Sequence, residues 1–151
     1  MTDLLISIEG STLAAWVRES PSIWAYATIL TLHTVGLAIV VGVNVVVDLR
    51  LLGWAPRIPT QSLRPLFPIM WWGFAINFAS GVLLFTADAT IKSGQRVFWV
   101  KLACIALALI VARFVAKRLR QQDEQHLRAL AMLSLLLWAG AIVAGRLMAY
   151  L

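Results

Sequence analysis

Four stretches of this chain are apolar for about 20 residues, the length that crosses a hydrocarbon core of roughly 30 Å at helical rise. They run over Ile23–Val47, Leu66–Ala87, Val97–Val115 and Ala129–Leu151, each bounded by charge or proline. Pro56, Pro59 and Pro65 punctuate the connection between the first two, and Pro68 falls in the first turn of the second. Proline is tolerated there because the N–H it lacks has no helical partner. The pattern predicts an all-α fold, an integral membrane four-helix bundle over residues 23–151. Residues 1–22 are too short for another span. Leu4, Leu5, Ile8, Leu13, Trp16 and Val17 are interleaved with Asp3, Glu9, Arg18 and Glu19. This predicts a short N-terminal amphipathic helix lying on the membrane interface, broken from the bundle at Ser20-Pro21.

Composition narrows the picture. Hydrophobic residues make up 61% and charged residues 13%, against about 45–50% and about 25% in soluble domains. That excludes a soluble globular enzyme, a disordered tail and a disulfide scaffold. The net charge of +6, from 13 basic and 7 acidic residues, reads as cytoplasmic loop charge rather than a nucleic-acid surface. Arg50, Arg57 and Arg64 follow the first span, and Arg113, Lys117, Arg118, Arg120 and Arg128 flank the third, eight on one side. Arg18, Lys92, Arg96, Lys101 and Arg146 make five on the other. The excess predicts an inner-membrane protein with both termini outside, whose Lys117–Arg128 loop meets anionic lipid headgroups. Cys104 is the single cysteine, so no intrachain disulfide is expected. No basic residue precedes Arg18, so a cleaved signal peptide is not expected either. Trp16, Trp24, Trp54, Trp71, Trp72 and Trp99 fall near predicted span ends, where an apolar ring with one polar N–H is at home.

Polar residues within spans face the bundle interior, because lipid penalises them. On the first helix, steps of seven and eleven residues bring Tyr26, His33 and Asn44 to one face, with Asp48 near it. On the second, Met70, Gly73, Asn77, Gly81 and Asp88 align. His33 is ten residues into its span and Asn77 eleven into the next. In antiparallel helices both sit near the midplane, so an interior polar zone of Tyr26, His33, Asn44 and Asn77 is expected, centred on a His33–Asn77 contact. Cys104, Ala108, Ala112 and Ala116 form a small-residue row on the third span, and Ala141, Gly145 and Ala149 another on the fourth. Such rows suit close packing within the bundle or a homo-oligomer seam. Asp88 and Arg146 fall at the same ends of their helices and are expected to form an ion pair. Lys101 can bend back to the surface.

His33 is the sharpest candidate for chemistry: an axial haem ligand, a metal ligand or a proton carrier. A bis-histidine haem needs a second histidine at similar depth, and His126 lies in a loop. Haem would then need one histidine from each of two subunits, or a different second ligand. No CxxC, HxxxH or methionine cluster supports a metal, and no phosphate loop, nucleophile elbow or carboxylate pair points to an enzyme. The residues therefore read as a non-enzymatic membrane protein. It is either an accessory subunit or a carrier of protons or a small solute through the His33–Asn77 zone, with no cofactor expected. The alternative is a membrane electron carrier holding haem b at His33. In the first reading His33 is neutral and hydrogen-bonded, His33→Gln keeps the fold, and His33→Leu weakens it by stranding the Asn77 amide.

The segments Leu32–Gly53, Gly73–Thr90, Phe98–Leu102 and Leu133–Leu151, with their Asp48-Leu49-Arg50 and Gly145-Arg146 pieces, together resemble a bacterial family of small four-helix membrane proteins. That family is known only as a domain of unknown function. More distantly the chain is similar to copper-resistance and cytochrome-b-like four-helix membrane proteins. The resemblance implies a four-span inner-membrane fold and no established activity. Distant relatives of that kind often carry Asn and His late in the third span, where this chain has Val111 to Ala116 with Arg113.

Overall fold

The structure, a computed structural model, describes residues 2–20, 22–121 and 126–150, and every regular element among them is helical. Two short helices, α1 (Thr2–Glu9) and α2 (Thr12–Glu19), precede the long α3 (Ile23–Leu51). A proline-rich loop with a 3-10 turn at Thr60–Leu63 leads to α4 (Leu66–Ala87). The short α5 (Ala89–Gly94) then connects to α6 (Arg96–Gln121), and α7 (Leu127–Leu147) completes the bundle. Four of these, α3, α4, α6 and α7, are long and apolar enough to cross a membrane. With 29 residues, α3 is about 43 Å long at 1.5 Å per residue. That exceeds a hydrocarbon core of about 30 Å, so α3 is long enough to cross one with tilt or with its ends beyond it.

The distribution of side chains is that of a protein solvated by lipid. Trp72, Phe78, Leu136 and Val143 are exposed, while the buried positions of α6 and α7 include Ala108, Ala112, Ala131, Ala141 and Ala144. Among the described residues, the buried polar ones are Asn44, Asp48, Ser80 and Ser134. Small residues inside let helices approach, and large apolar residues outside cost nothing in lipid.

The bundle is two helical hairpins, α3 with α4 and α6 with α7, joined by α3 against α7. The small-residue rows predicted on α6 and α7 are used inside the chain. Ala108, Ala112 and Ala141 are buried, and a methyl group added at Gly140 would lie 3.4 Å from the Cys104 sulfur. At the far end of α7 Ala149 is exposed, and Lys101 lays its aliphatic stem 3.6 Å from where a side chain at Gly145 would begin. α4 meets α6 through Phe85 stacked on Phe98, with ring centroids 5.3 Å apart, and through Arg113 over Trp71.

Three elements differ from the sequence reading. The N-terminal segment is not one interfacial helix but two. They are separated at Gly10-Ser11, where the Ser11 hydroxyl accepts from the Ala14 N–H and starts α2 afresh. The pair docks on the bundle. Ala14 and Val17 are buried, and Val17 packs with Ile29 and Ala87. Arg18 donates to the main-chain oxygen of Ala87 at 3.0 Å, and the Thr90 N–H donates to the Glu9 carboxylate at 3.0 Å. The Thr90 hydroxyl and N–H, in that order, hold the Glu9 carboxyl below its ordinary range, with the Arg18 charge adding. This clamp is therefore complete at neutral pH and is lost as pH falls through that lowered value.

The second difference is α5, a short helix in the segment between the second and third spans, to which the sequence reading assigns no element. The third is the length of α6, which runs six residues past Val115 to Gln121. Lys117, Arg118 and Arg120 are good helix formers, so charge ends the membrane segment without ending the helix. Residues 122–125, in the middle of the expected lipid-binding loop, lie outside the described residues. Among the tryptophans expected near span ends, Trp16, Trp24, Trp54, Trp72 and Trp99 are exposed. Trp138 is instead buried in the core.

Candidate functional site

The contact between α3 and α4 is built on two glycines. A methyl group added at Gly36 would lie 2.7 Å from the Asn77 nitrogen and 2.9 Å from the Gly73 oxygen. One added at Gly73 would lie 2.6 Å from Ile39 Cγ2. With no Cβ on either side, the two backbones touch. His33 is nearly one turn from Gly36, and Asn77 one turn from Gly73, so the close crossing brings both into reach of the opposite main chain.

Their bonding is reciprocal. The Asn77 side-chain amide donates to the His33 main-chain oxygen at 2.8 Å. His33 Nδ1 lies 3.0 Å from the Asn77 main-chain oxygen and 3.2 Å from the Ser80 hydroxyl. The Asn77 amide nitrogen, a donor only, is also 3.3 Å from Nδ1, but it already donates to the His33 carbonyl at the shorter 2.8 Å. The Ser80 hydroxyl donates to the Ile76 oxygen at 2.7 Å, which leaves its lone pairs to face Nδ1. The closer carbonyl only accepts, so the contacts favour the neutral tautomer with the proton on Nδ1 and the Nε2 lone pair left as an acceptor. Gly81 makes room for the ring: a methyl group there would lie 3.1 Å from His33 Cε1. The ring is half-buried.

The four residues expected to form one zone do not meet. Only His33 and Asn77 do, joined by Ser80. Tyr26 is 49% exposed and faces outward. Asn44 shares the rotational face of His33 but lies about 16 Å further along the helix. There it is buried, and its amide turns back to its own Val40 oxygen at 2.8 Å.

A second polar centre lies between α3 and α7, one turn beyond Asn44. Asp48 stands there, with the Ser134 hydroxyl beside its carboxyl group. Trp138 follows one turn along α7. Asp48 is 2% exposed, Ser134 1% and Trp138 2%. Among the described residues, Asp48 Oδ2, Ser134 Oγ and Trp138 Nε1 make no hydrogen bond. Ser134 and Trp138 give no signal in the sequence until α7 is known to lie on α3. Their spacing of four, opposite the Asn44 and Asp48 spacing of four, is the only trace.

The expected Asp88–Arg146 pair is not formed. Asp88 bonds to Lys92, Nζ to Oδ2 3.1 Å, and Lys92 also donates to the Leu84 main-chain oxygen. The turn of helix in α5 places Lys92 four residues on, within direct reach of Asp88. Arg146 is exposed and has no ion pair among the described residues. Nor do those residues contain a group of three or more His, Cys, Asp or Glu able to hold a metal ion. His126 precedes α7 at the opposite end of the bundle from the N-terminal helices, in a left-handed conformation with φ 61°. Within one chain, His33 is therefore the sole histidine at its depth.

The chain matches no family model, no curated protein and no solved structure.

Proposed function

We propose that this chain is a non-enzymatic, multi-pass membrane protein whose His33–Asn77 zone accepts a proton, or a small polar solute bound through a proton donor, within the bilayer. One observation carries this reading. Nδ1 of His33 is committed to the Asn77 carbonyl, so the imidazole is held at a fixed angle with Nε2 left to accept. An intramembrane ionisable group oriented in this way suits proton relay. The cations acting on the ring come from other elements, Lys101 on α6 and Lys92 on α5. The same reading places the protein in the inner membrane with both termini outside, as a homo-oligomer or as a subunit of a membrane complex. Reporter fusions at Arg57 and after Tyr150 test the orientation, silent at the first and active at the second for a periplasmic reporter.

The test of function is proton flux. Purified protein in liposomes carrying an internal pH dye is driven by a potassium gradient and valinomycin. Flux above empty liposomes, abolished in His33→Gln, is the expected result. Flux equal to empty liposomes, or unchanged in His33→Gln, overturns the reading.

The tautomer also suits haem, since a histidine that donates Nδ1–H to a carbonyl presents Nε2 to a metal. The fit within one chain is one-sided: His33 supplies an axial nitrogen and no described residue is placed to supply the second histidine. A haem b electron carrier would draw that ligand from a second copy. A Soret band lost in His33→Ala favours this alternative, and its absence from protein expressed with haem precursor overturns it.

A further inference from the structure

A cleft of about 300 Å³ opens between the first turns of α4 and the last turns of α6. Its floor is aromatic, from Phe67 and Trp71, and its rim is basic, from Arg113, Lys117 and Arg120. The three cations fall at spacings of four and three, one face of a helix. They are all exposed, and none forms an ion pair among the described residues. Arg113 is held in place by its guanidinium, 5.1 Å over the Trp71 ring.

The row also has a depth. Arg113 lies within the apolar stretch that ends at Val115, and Arg120 lies about 10 Å further along α6, beyond it. It therefore crosses from hydrocarbon into the headgroup layer. A guanidinium at the inner edge of that layer is costly without a counter-anion. Phosphodiesters supply one at that level. The cleft volume is at the lower limit of small-ligand pockets, about 300–1,000 Å³. It suits a headgroup whose acyl chains leave sideways into the bilayer, past the exposed apolar flank of α4. A zwitterionic headgroup brings its own ammonium into a site already carrying three cations, whereas a net-negative one neutralises them. Basic clefts between membrane helices are a recognised setting for such headgroups.

We infer that the α4–α6 cleft is a binding site for the headgroup of one net-negative phospholipid, held by Arg113, Lys117 and Arg120 over Trp71. This rests on the chain spanning a bilayer and is independent of His33. The variants that test it do not touch the proton assay, so either reading can fail alone.

The experiment is thermal unfolding of the purified full chain in detergent, titrated separately with phosphatidylglycerol, phosphatidylcholine and inorganic phosphate. Phosphatidylglycerol is expected to raise Tm saturably, and the other two not to. Each basic group at a membrane surface contributes about fivefold to binding, so K117Q/R120Q is expected to weaken the phosphatidylglycerol midpoint by about 25-fold. If the double variant loses its helical circular dichroism, K117Q alone serves, with about fivefold expected. Equal stabilisation by phosphatidylcholine overturns the proposal, as does a phosphate response that reproduces the phosphatidylglycerol shift. An unchanged midpoint in the charge variants shows that the lipid binds elsewhere and overturns it as well.

Discussion

The two polar centres on α3 lie about 22 Å apart along one helix, and they are opposite in character. At His33, facing α4, every observed bond is reciprocal: amide to carbonyl one way, imidazole to carbonyl the other, with Ser80 closing the set. At Asp48, facing α7, three polar atoms are buried without a hydrogen bond among the described residues. The difference follows from backbone distance. Gly36 and Gly73 let main-chain oxygens serve as cross-helix acceptors. No glycine makes such a contact between α3 and α7, and at Asp48 the neighbouring group is a side chain, the Ser134 hydroxyl. Burial alone, then, does not organise polar groups in a membrane bundle; access to the opposite main chain does.

The comparison breaks most sharply at Gly36. Its added methyl meets backbone, which cannot move aside, so Gly36→Ala is expected to cost about 3 kcal/mol in stability, at the upper end of overpacking effects. Gly73→Ala strikes Ile39 at Cγ2 and at Cβ, 2.6 and 2.8 Å away; Cβ is fixed by the backbone of α3, so a comparable cost is expected. Reversible unfolding in mixed micelles measures both. Wild-type stability in Gly36→Ala would show that the close crossing is not what holds the His33 centre.

A smaller effect separates the two residues of the contact. Asn77→Leu removes the donor to the His33 carbonyl and is expected to cost about 1.5 kcal/mol, near the upper range for interhelical hydrogen bonds in membranes. His33→Leu should cost less than Asn77→Leu. The Asn77 amide is satisfied by the His33 main chain, so removing the imidazole does not strand it, contrary to the sequence reading. The reverse order in the same assay would return the anchoring role to the imidazole.

The smallest change is expected at the second centre. Ser134→Ala changes the volume little and removes a hydroxyl that stands beside the Asp48 carboxyl without completing a hydrogen bond. It should cost less than about 1 kcal/mol, the size of an ordinary hydrogen bond. A larger loss would mean that Ser134 and Asp48 are fully bonded, and the two centres would then be alike.

Helical arithmetic was enough to read the first centre from the sequence. Gly73, Asn77 and Gly81 repeat every four residues, and equal depth from opposite ends pairs Asn77 with His33. The bounds of α4 follow from Pro65 and Asp88 for the same reason. The second centre was not legible, because periodicity gives the face a residue occupies but not the helix that face meets. Asn44 was assigned to His33 by rotation alone, although depth had already separated them. Position at the same end of the bundle is all that pairs Asp88 with Arg146 in the sequence. A single turn of helix after α4 brings Lys92 into range, and the four-residue spacing was its only signature.

The clamp at the N-terminal end bears on how the chain is made. Glu9 waits for Thr90, 81 residues later in the sequence, and Arg18 waits for Ala87, 69 residues later. At a synthesis rate of about 5–20 residues per second, the first of these intervals lasts roughly 4–16 seconds. Throughout it the polar clamp of α1 and α2 stays open, and Val17 has Ile29 but not yet Ala87 to pack against. These two helices are thus made before α4 and fastened after it, and the closing of the clamp reports that the α3–α4 hairpin has already been delivered.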